Sequence, residues 1–259
     1  MLKLWEHPLS PFAQKVKIAL FEKGIPFETE TPNAFTGGTT DYLKISPRLE
    51  VPALQDGELT IFDSTVILEY LEDKWPRPAM LPPPPAERAR VRMIEEICDT
   101  YYEAINWGVM EIKVFKRASG DLADALLARA ASQIAGVHAR LERELGERQF
   151  FNGESFGWGD LSVHPYVNTS KLYGILPPDG SRLAAWLDRV AARESVKRSA
   201  EAGAQSLTGV GQLPALVEAG RFVRQYRDHR LEWMLRSGGL EIVLRGIEKK
   251  NIRFSTEIG

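Results

Sequence analysis

The sequence predicts a small α/β unit followed by an all-helical bundle. Three observations predict it. Residues 2–31 read as strand, helix, strand. Residues 51–71 read as a hairpin running straight into a helix. After the proline-rich stretch 76–85, strand-like patterning all but disappears and helical periodicity takes over.

Leu2 to Trp5 is a short β-like run that His7-Pro8 ends. Ser10-Pro11 announces a helix, with serine at the N-cap and proline at the first helical position, where a missing N–H is no loss. The stripe Val16, Ile18, Ala19, Leu20 continues to Gly24, which suits a left-handed C-terminal cap. Ile25 to Thr31 reads as a second strand, implying a parallel pair joined by a right-handed crossover. Thr36 to Ile45 is a polar, glycine-containing loop with one helical turn. Val51 to Gln55 and Leu59 to Phe62 form strands around Asp56-Gly57, a tight hairpin signal. Asp63-Ser64 supplies the polar side chains of a helix start, and Val66, Ile67, Tyr70 and Leu71 form its apolar stripe. Pro52 cannot donate to a ladder, so it belongs at a strand's first residue or on an edge. There it leaves the Val51 backbone to face a ligand.

The prolines at 76, 78 and 82–85 make a stiff connector. Helical patterns follow at Glu87–Arg117, Asp121–Leu145, Gly157–Tyr173, Arg182–Ala192 and Ser195–Ala204. The expected organisation is an α/β domain at 1–76, a linker at 77–86, a helical domain at 87–206 and a helical extension at 207–259. In that extension Ala215–Arg236 reads as a helix, Gly238-Gly239 as a break, and Leu240–Lys250 as another turn or two. Its arginines at 221, 224, 227, 230, 236 and 245 alternate with Tyr226 and Trp233. Such a pattern occurs in nucleic-acid binders. The competing reading, a solvated face whose apolar side (Phe222, Leu231, Leu235) packs on the bundle, is preferred.

With 259 residues, 44% hydrophobic and 26% charged, the chain has the composition of a soluble globular protein. A formal net charge of −2 gives no global field favouring nucleic acid or an anionic membrane. The single cysteine, Cys98, precludes an internal disulfide and a cysteine-built metal site. It lies on an apolar helix face as packing. No run approaches a bilayer-spanning length, and the opening residues lack the apolar core of a signal peptide, so a cytoplasmic location is expected. His7, His138, His164 and His229 are scattered without metal-ligand spacing, and no metal is expected.

Several motifs in this order and spacing resemble the cytosolic glutathione S-transferases. They are Ser10-Pro11-Phe12, Lys15-Val16-Lys17-Ile18-Ala19-Leu20, Glu22-Lys23-Gly24, Val51-Pro52-Ala53-Leu54 and Asp63-Ser64-Thr65-Val66-Ile67. Phe151-Asn152-Gly153 with Trp158-Gly159-Asp160 resembles the family's start of the core helix of its second domain, where Asp160 is a structural cap. The likeness covers about residues 1–205 and is greatest to the plant tau class and related bacterial serine-type members. It implies a thioredoxin-like N-terminal domain, an all-helical C-terminal domain and a cytoplasmic, homodimeric detoxification enzyme with glutathione as cosubstrate. By the same resemblance, Ser10 donates to the glutathione sulfur and Val51 pairs with the cysteinyl backbone. Pro52 is the cis-proline, and Asp63 and Ser64 hold the γ-glutamyl end. Phe12, Tyr101, Tyr102 and Trp107 are candidates for a pocket holding a hydrophobic electrophile, with Phe115 a further aromatic there; Tyr101, Tyr102, Trp107 and Phe115 read equally well as core.

The chain departs from the family at Ser46-Pro47-Arg48-Leu49-Glu50. Leu49 stands where glycine is usual, and Glu50 stands where Lys or Gln helps hold a glutathione carboxylate. Arg48 or Lys44 is the substitute cation in this expectation, and Glu50→Lys tightens glutathione binding if Glu50 faces the tripeptide. The long tail is expected over the second-substrate pocket or across a dimer. A rival function is a non-catalytic binding or regulatory protein carrying hydrophobic ligands; a third is glutathione-dependent isomerisation.

Overall fold

A computed structural model describes residues 1–32, 42–207 and 210–255 of the chain. The N-terminal part is thioredoxin-like. β1 (Leu2–Trp5) pairs in parallel with β2 (Phe27–Glu30) and antiparallel with β3 (Ala53–Asp56), which pairs antiparallel with β4 (Leu59–Phe62); the sheet order is β2-β1-β3-β4. β3 starts after Pro52 because proline has no N–H for the ladder. Gly57, at φ +62, supplies the left-handed residue of the hairpin.

α1 (Pro11–Glu22) is the central helix of this part. Its residues Ala13 and Lys15 to Leu20 are all buried, because α2 (Ser64–Lys74) and the helical bundle pack on it and its apolar side chains share one core with Leu2, Leu4 and Leu54 of the sheet. The expected loop at 36–45 lies mostly outside the described residues; its end is a single 3-10 turn at Tyr42–Lys44.

The helix expected over 87–117 runs without a break from 85 to 113, with one irregular turn inside it. α3 (Pro85–Ile97) widens into a π-helical turn at Cys98–Tyr102 before α4 (Glu103–Lys113). Then come α5 (Gly120–Leu145), α6 (Trp158–Leu172), α7 (Arg182–Ala191) and α8 (Glu194–Gln205). The bundle core gathers Tyr102, Trp158, Tyr166 and Trp186, all fully buried. Asp160 acts as a structural anchor there. Its carboxylate accepts N–H groups from Phe151 (2.8 Å), Gly157 (3.0 Å) and the Trp186 indole (2.8 Å). Cys98 is buried in the same core.

The tail is less regular than its pattern suggests. α9 (Leu213–Glu218) stops before Gly220, whose φ is +68. β5 (Arg224–Gln225) follows, then α10 (Asp228–Arg236), α11 (Leu240–Glu248) and β6 (Ile252–Arg253), which pairs in parallel with β5. A two-residue ladder has no periodicity to read; it forms because Arg224 and Tyr226 donate their N–H groups to Asn251 and Arg253.

Of the basic residues, Arg221, Arg236 and Arg245 are exposed as expected, whereas Arg224 and Arg230 turn inward. Arg224 Nε reaches Glu111 at 2.6 Å, and Arg230 Nη2 reaches Glu103 at 2.6 Å; both carboxylates are buried on α4. Trp233 and Met234 are buried, with Trp233 seated where Gly108 leaves room: a Cβ at Gly108 would lie 2.1 Å from the indole. Leu235, expected on the packed side, is exposed.

Candidate functional site

Register sets the site's location. Trp5, at the end of β1, lies opposite Ala53, the first residue of β3, and Ala53 lies opposite Phe62, the last of β4. Three chain segments therefore converge at one end of the sheet: the loop leading to Ser10, the Val51–Pro52 edge, and Asp63–Ser64.

Ser10 has the extended backbone of an N-cap (φ −74, ψ 119), and its hydroxyl oxygen accepts the Ala13 N–H at 3.4 Å. Its N–H donates to the His7 carbonyl at 2.8 Å, while Gln14 Nε2 braces the loop on the Pro8 carbonyl at 2.8 Å. A hydroxyl has one proton and two lone pairs. Accepting from Ala13 leaves the proton to donate at a helix N-terminus, where N–H groups and the macrodipole favour an anion.

The Val51–Pro52 peptide bond is cis. The preceding turn is tightly held: Tyr42 donates to the Glu50 carbonyl at 2.7 Å and Ser46 Oγ accepts the Glu50 N–H at 3.3 Å. Leu49 sits at φ +53, a left-handed conformation that costs a non-glycine residue about 1–2 kcal/mol and accounts for the fit of glycine there.

Asp63, at φ +76, caps α2 by accepting the N–H groups of Thr65 (3.0 Å) and Val66 (3.3 Å). Its other oxygen lies 3.9 Å from Arg48. Ser64 is buried beside it. A cavity of about 380 Å³ opens against Arg48, Asp63, Val66 and residues 60–62. Neither Ser10 nor Val51 lines it, so the three convergent segments share an end of the sheet rather than one enclosed chamber.

Glu50 turns to the tail. Its Oε1 accepts from Arg227 Nε and Gln225 Nε2, both at 2.6 Å. The Glu50 carboxylate is thus engaged by the tail, and the lysine of the expected Glu50→Lys change would meet Arg227 there.

The aromatic candidates scatter. Phe12 packs edge-on against Tyr166 at 6.1 Å. Tyr102 is fully buried and its hydroxyl bonds to His138 Nε2 (2.7 Å) and Ser170 Oγ (2.5 Å). Trp107 is buried edge-on against Tyr226 at 4.6 Å. Phe115 is buried too, stacked on Phe222 and covered by the Arg224 guanidinium 3.8 Å from its ring. Tyr101 is 48% exposed. Tyr102 and Trp107 thus belong to the core, because tail and bundle cover them.

Two features escaped sequence reasoning. One is the tail's grip on Glu50, which has no local signal. The other is Lys15, fully buried, with Nζ 2.5 Å from both Glu95 and Asp99. Its spacing, three and four residues before Ile18 and Ala19 of the apolar stripe, was a usable clue. Trp158 and Tyr166 donate to the same two carboxylates. Burial disfavours the Lys15 ammonium, but the two carboxylates outweigh it and hold its pKa above the ordinary value. Burial raises Asp99 to about 6 even beside that cation. The cluster ties α1, which presents Ser10, to α3 and α6. Among the described residues, no His, Cys, Asp and Glu side chains gather as a metal site, and no helix is long and apolar enough to cross a membrane.

Residues 9–74 match the family model of the glutathione S-transferase N-terminal domain. Glutathione S-transferase U8 of Arabidopsis thaliana is 32% identical over 63% of this chain and 68% of its own length. A stringent starvation protein A homolog from Haemophilus ducreyi is 27% identical over 73% of this chain and 84% of its own. A glutathione S-transferase from Methylobacterium radiotolerans, solved with glutathione sulfonate, superposes with a TM-score of 0.64 at 30% identity, covering 76% of this chain and 93% of that one.

Proposed function

Because this chain belongs to the glutathione S-transferase family, we propose that it binds glutathione and transfers its thiolate to a hydrophobic electrophile. The observation that carries this is the convergence of a serine-capped helix start, the Val51–Pro52 edge and the Asp63–Ser64 cap at one end of the sheet.

In this reading Val51 offers its backbone to the cysteinyl unit, and Asp63 with Ser64 receives the γ-glutamyl end, which carries both an ammonium and a carboxylate. Ser10 donates its free proton to the sulfur. An ordinary thiol, with pKa near about 8.5, is only a few per cent ionised at neutral pH. A hydrogen bond to the charged form is worth roughly 1.5–3 kcal/mol, or about one to two pKa units, which makes roughly a quarter or more of the bound thiol nucleophilic. The thiolate attacks the acceptor's electrophilic carbon, and the leaving group departs with the bond's electron pair. Serine at position 10 does not suit chemistry that needs a protein thiol to form a mixed disulfide. Glutathione is a cosubstrate in this scheme and no metal takes part. The protein acts as a cytoplasmic homodimer in detoxification; exposed Val66 on α2 and Met93 on α3 supply apolar surface for pairing.

The test is retention on immobilised glutathione together with conjugation to an aryl halide. Ser10→Ala lowers the conjugation rate at neutral pH by about 8- to 25-fold, the ratio of the two ionised fractions. Equal rates in parent and variant remove Ser10 from the chemistry.

A second reading is a non-catalytic binding or regulatory protein carrying hydrophobic ligands. The covered state of Tyr102, Trp107 and Phe115 and the likeness to a stringent starvation protein A homolog favour it. Binding of a hydrophobic dye without resin retention or conjugation supports that alternative.

A further inference from the structure

We infer that the C-terminal tail is a working part of the glutathione site, with Arg227 and Arg253 as positioning residues that hold the segment Arg48–Glu50, next to Val51, and neutralise Glu50. This inference rests on the glutathione-binding proposal above.

The contacts are specific. Glu50 Oε1 receives Arg227 Nε and Gln225 Nε2, both at 2.6 Å. Arg253 Nη2 donates to the Leu49 carbonyl at 3.0 Å, and its Nη1 to the Arg48 carbonyl at 3.5 Å. Three tail side chains thus hold three consecutive residues, and the next residue is Val51. The β5–β6 ladder sets the spacing, since Gln225 lies opposite Arg253 in its register.

The gripped turn is one that needs holding. Leu49 occupies the left-handed region, so without outside contacts the turn has other conformations to relax into. From within, Tyr42 and Ser46 fix the Glu50 backbone. From outside, the Arg253 fork fixes the two carbonyls before it. Side chain and backbone are thereby constrained from both faces.

Charge completes the case. An acid beside Val51 would repel a tripeptide that carries two carboxylates and one ammonium. Arg227 faces that acid directly and is itself anchored, because the tail around it is bolted to α4. Arg230 pairs with Glu103, Tyr226 and Arg224 with Glu111, and Trp233 fills the space over Gly108. The tail therefore carries a cation from the helical part to the edge of the thioredoxin-like part. That cation offsets the acid at position 50; it supplies no surplus positive charge there, since Arg227 also pairs with Asp228 at 3.0 Å.

The experiment titrates reduced glutathione into the full chain by calorimetry, with the exposed Arg236→Gln as a control. Arg227→Glu and Glu50→Arg each place like charges together and are expected to raise the glutathione Kd by about tenfold or more. The double variant Glu50→Arg with Arg227→Glu restores an opposite-charge pair and is expected to return the Kd to within about threefold of the parent. A merely structural loss would not be rescued by reversing the pair. If Arg227→Glu does not fold, Arg227→Gln serves instead, with a smaller loss expected in the same direction. Parent-like affinity in the single variants, or a reversed pair no better than the singles, overturns the tail's role alone. Failure of the unaltered chain to bind glutathione overturns both this inference and the transferase proposal.

Discussion

Replacing Lys15 with methionine tests how α1 is held to the bundle. The ammonium is fully buried, 2.5 Å from Glu95 and 2.5 Å from Asp99, with Thr65 Oγ1 at 3.4 Å. Methionine fills a similar volume, so little is lost in packing. What remains is a pair of carboxylates without their cation, and breaking such a buried pair costs about 3–5 kcal/mol. For a chain of this size each kcal/mol lowers Tm by roughly 2–4 °C, so a loss of about 6–20 °C is expected. The sign of the pH dependence separates electrostatics from packing. Burial places the Asp99 pKa at about 6, above its unfolded value, so protonation of Asp99 favours the folded state and this group costs stability as pH rises from about 4 to 6. Without Lys15 the folded chain holds that proton to higher pH. The deficit relative to the parent should therefore be largest near pH 8 and shrink toward pH 5. Denaturant unfolding at both pH values measures it. A deficit below about 1 kcal/mol at pH 8, or one equal at both, would refute the electrostatic account.

Other substitutions probe the tail and the bundle. Glu103 has its pKa held down at about 2, because Arg230 and His229 outweigh the effect of burial. Its stabilisation is present above about pH 4.5, is lost as pH falls toward 2, and is worth about 3 kcal/mol at 1.36 kcal/mol per unit. Arg230→Gln should remove most of it at neutral pH and flatten the acid limb of an unfolding-versus-pH curve. Gly108→Ala gains about 1 kcal/mol of helix propensity but drives a methyl group into the Trp233 indole, so a net loss of about 1–3 kcal/mol is expected in chemical denaturation. Glu50→Lys should weaken glutathione binding, measured by calorimetry, because the new ammonium faces Arg227. Asp160→Ala leaves several buried donors unpaired, including the Phe151 and Gly157 amides and the Trp186 indole, and should cost about 3–5 kcal/mol in the same unfolding assay.

Local chemistry alone determined much of this protein. The Ser10-Pro11 helix start, the hairpin with Gly57 at its turn and the Asp63 cap were legible because caps, turns and apolar stripes act over three or four residues. Their order sufficed to indicate a small α/β part and a helical part, while the thioredoxin-like fold was implied by the family resemblance. Tertiary structure alone decided which residues those elements would meet. Periodicity marks an apolar face without saying whether it lines a cavity or a core, so Tyr102 and Trp107 read equally well as either, and only the fold shows them packed away. Nor does a run of arginines indicate its partners. Gln225 reaches Glu50 across 175 positions, and Arg253 reaches Leu49 across 204. Contacts of that span leave no pattern in any short window, because chain folding, not neighbouring residues, brings the charges together.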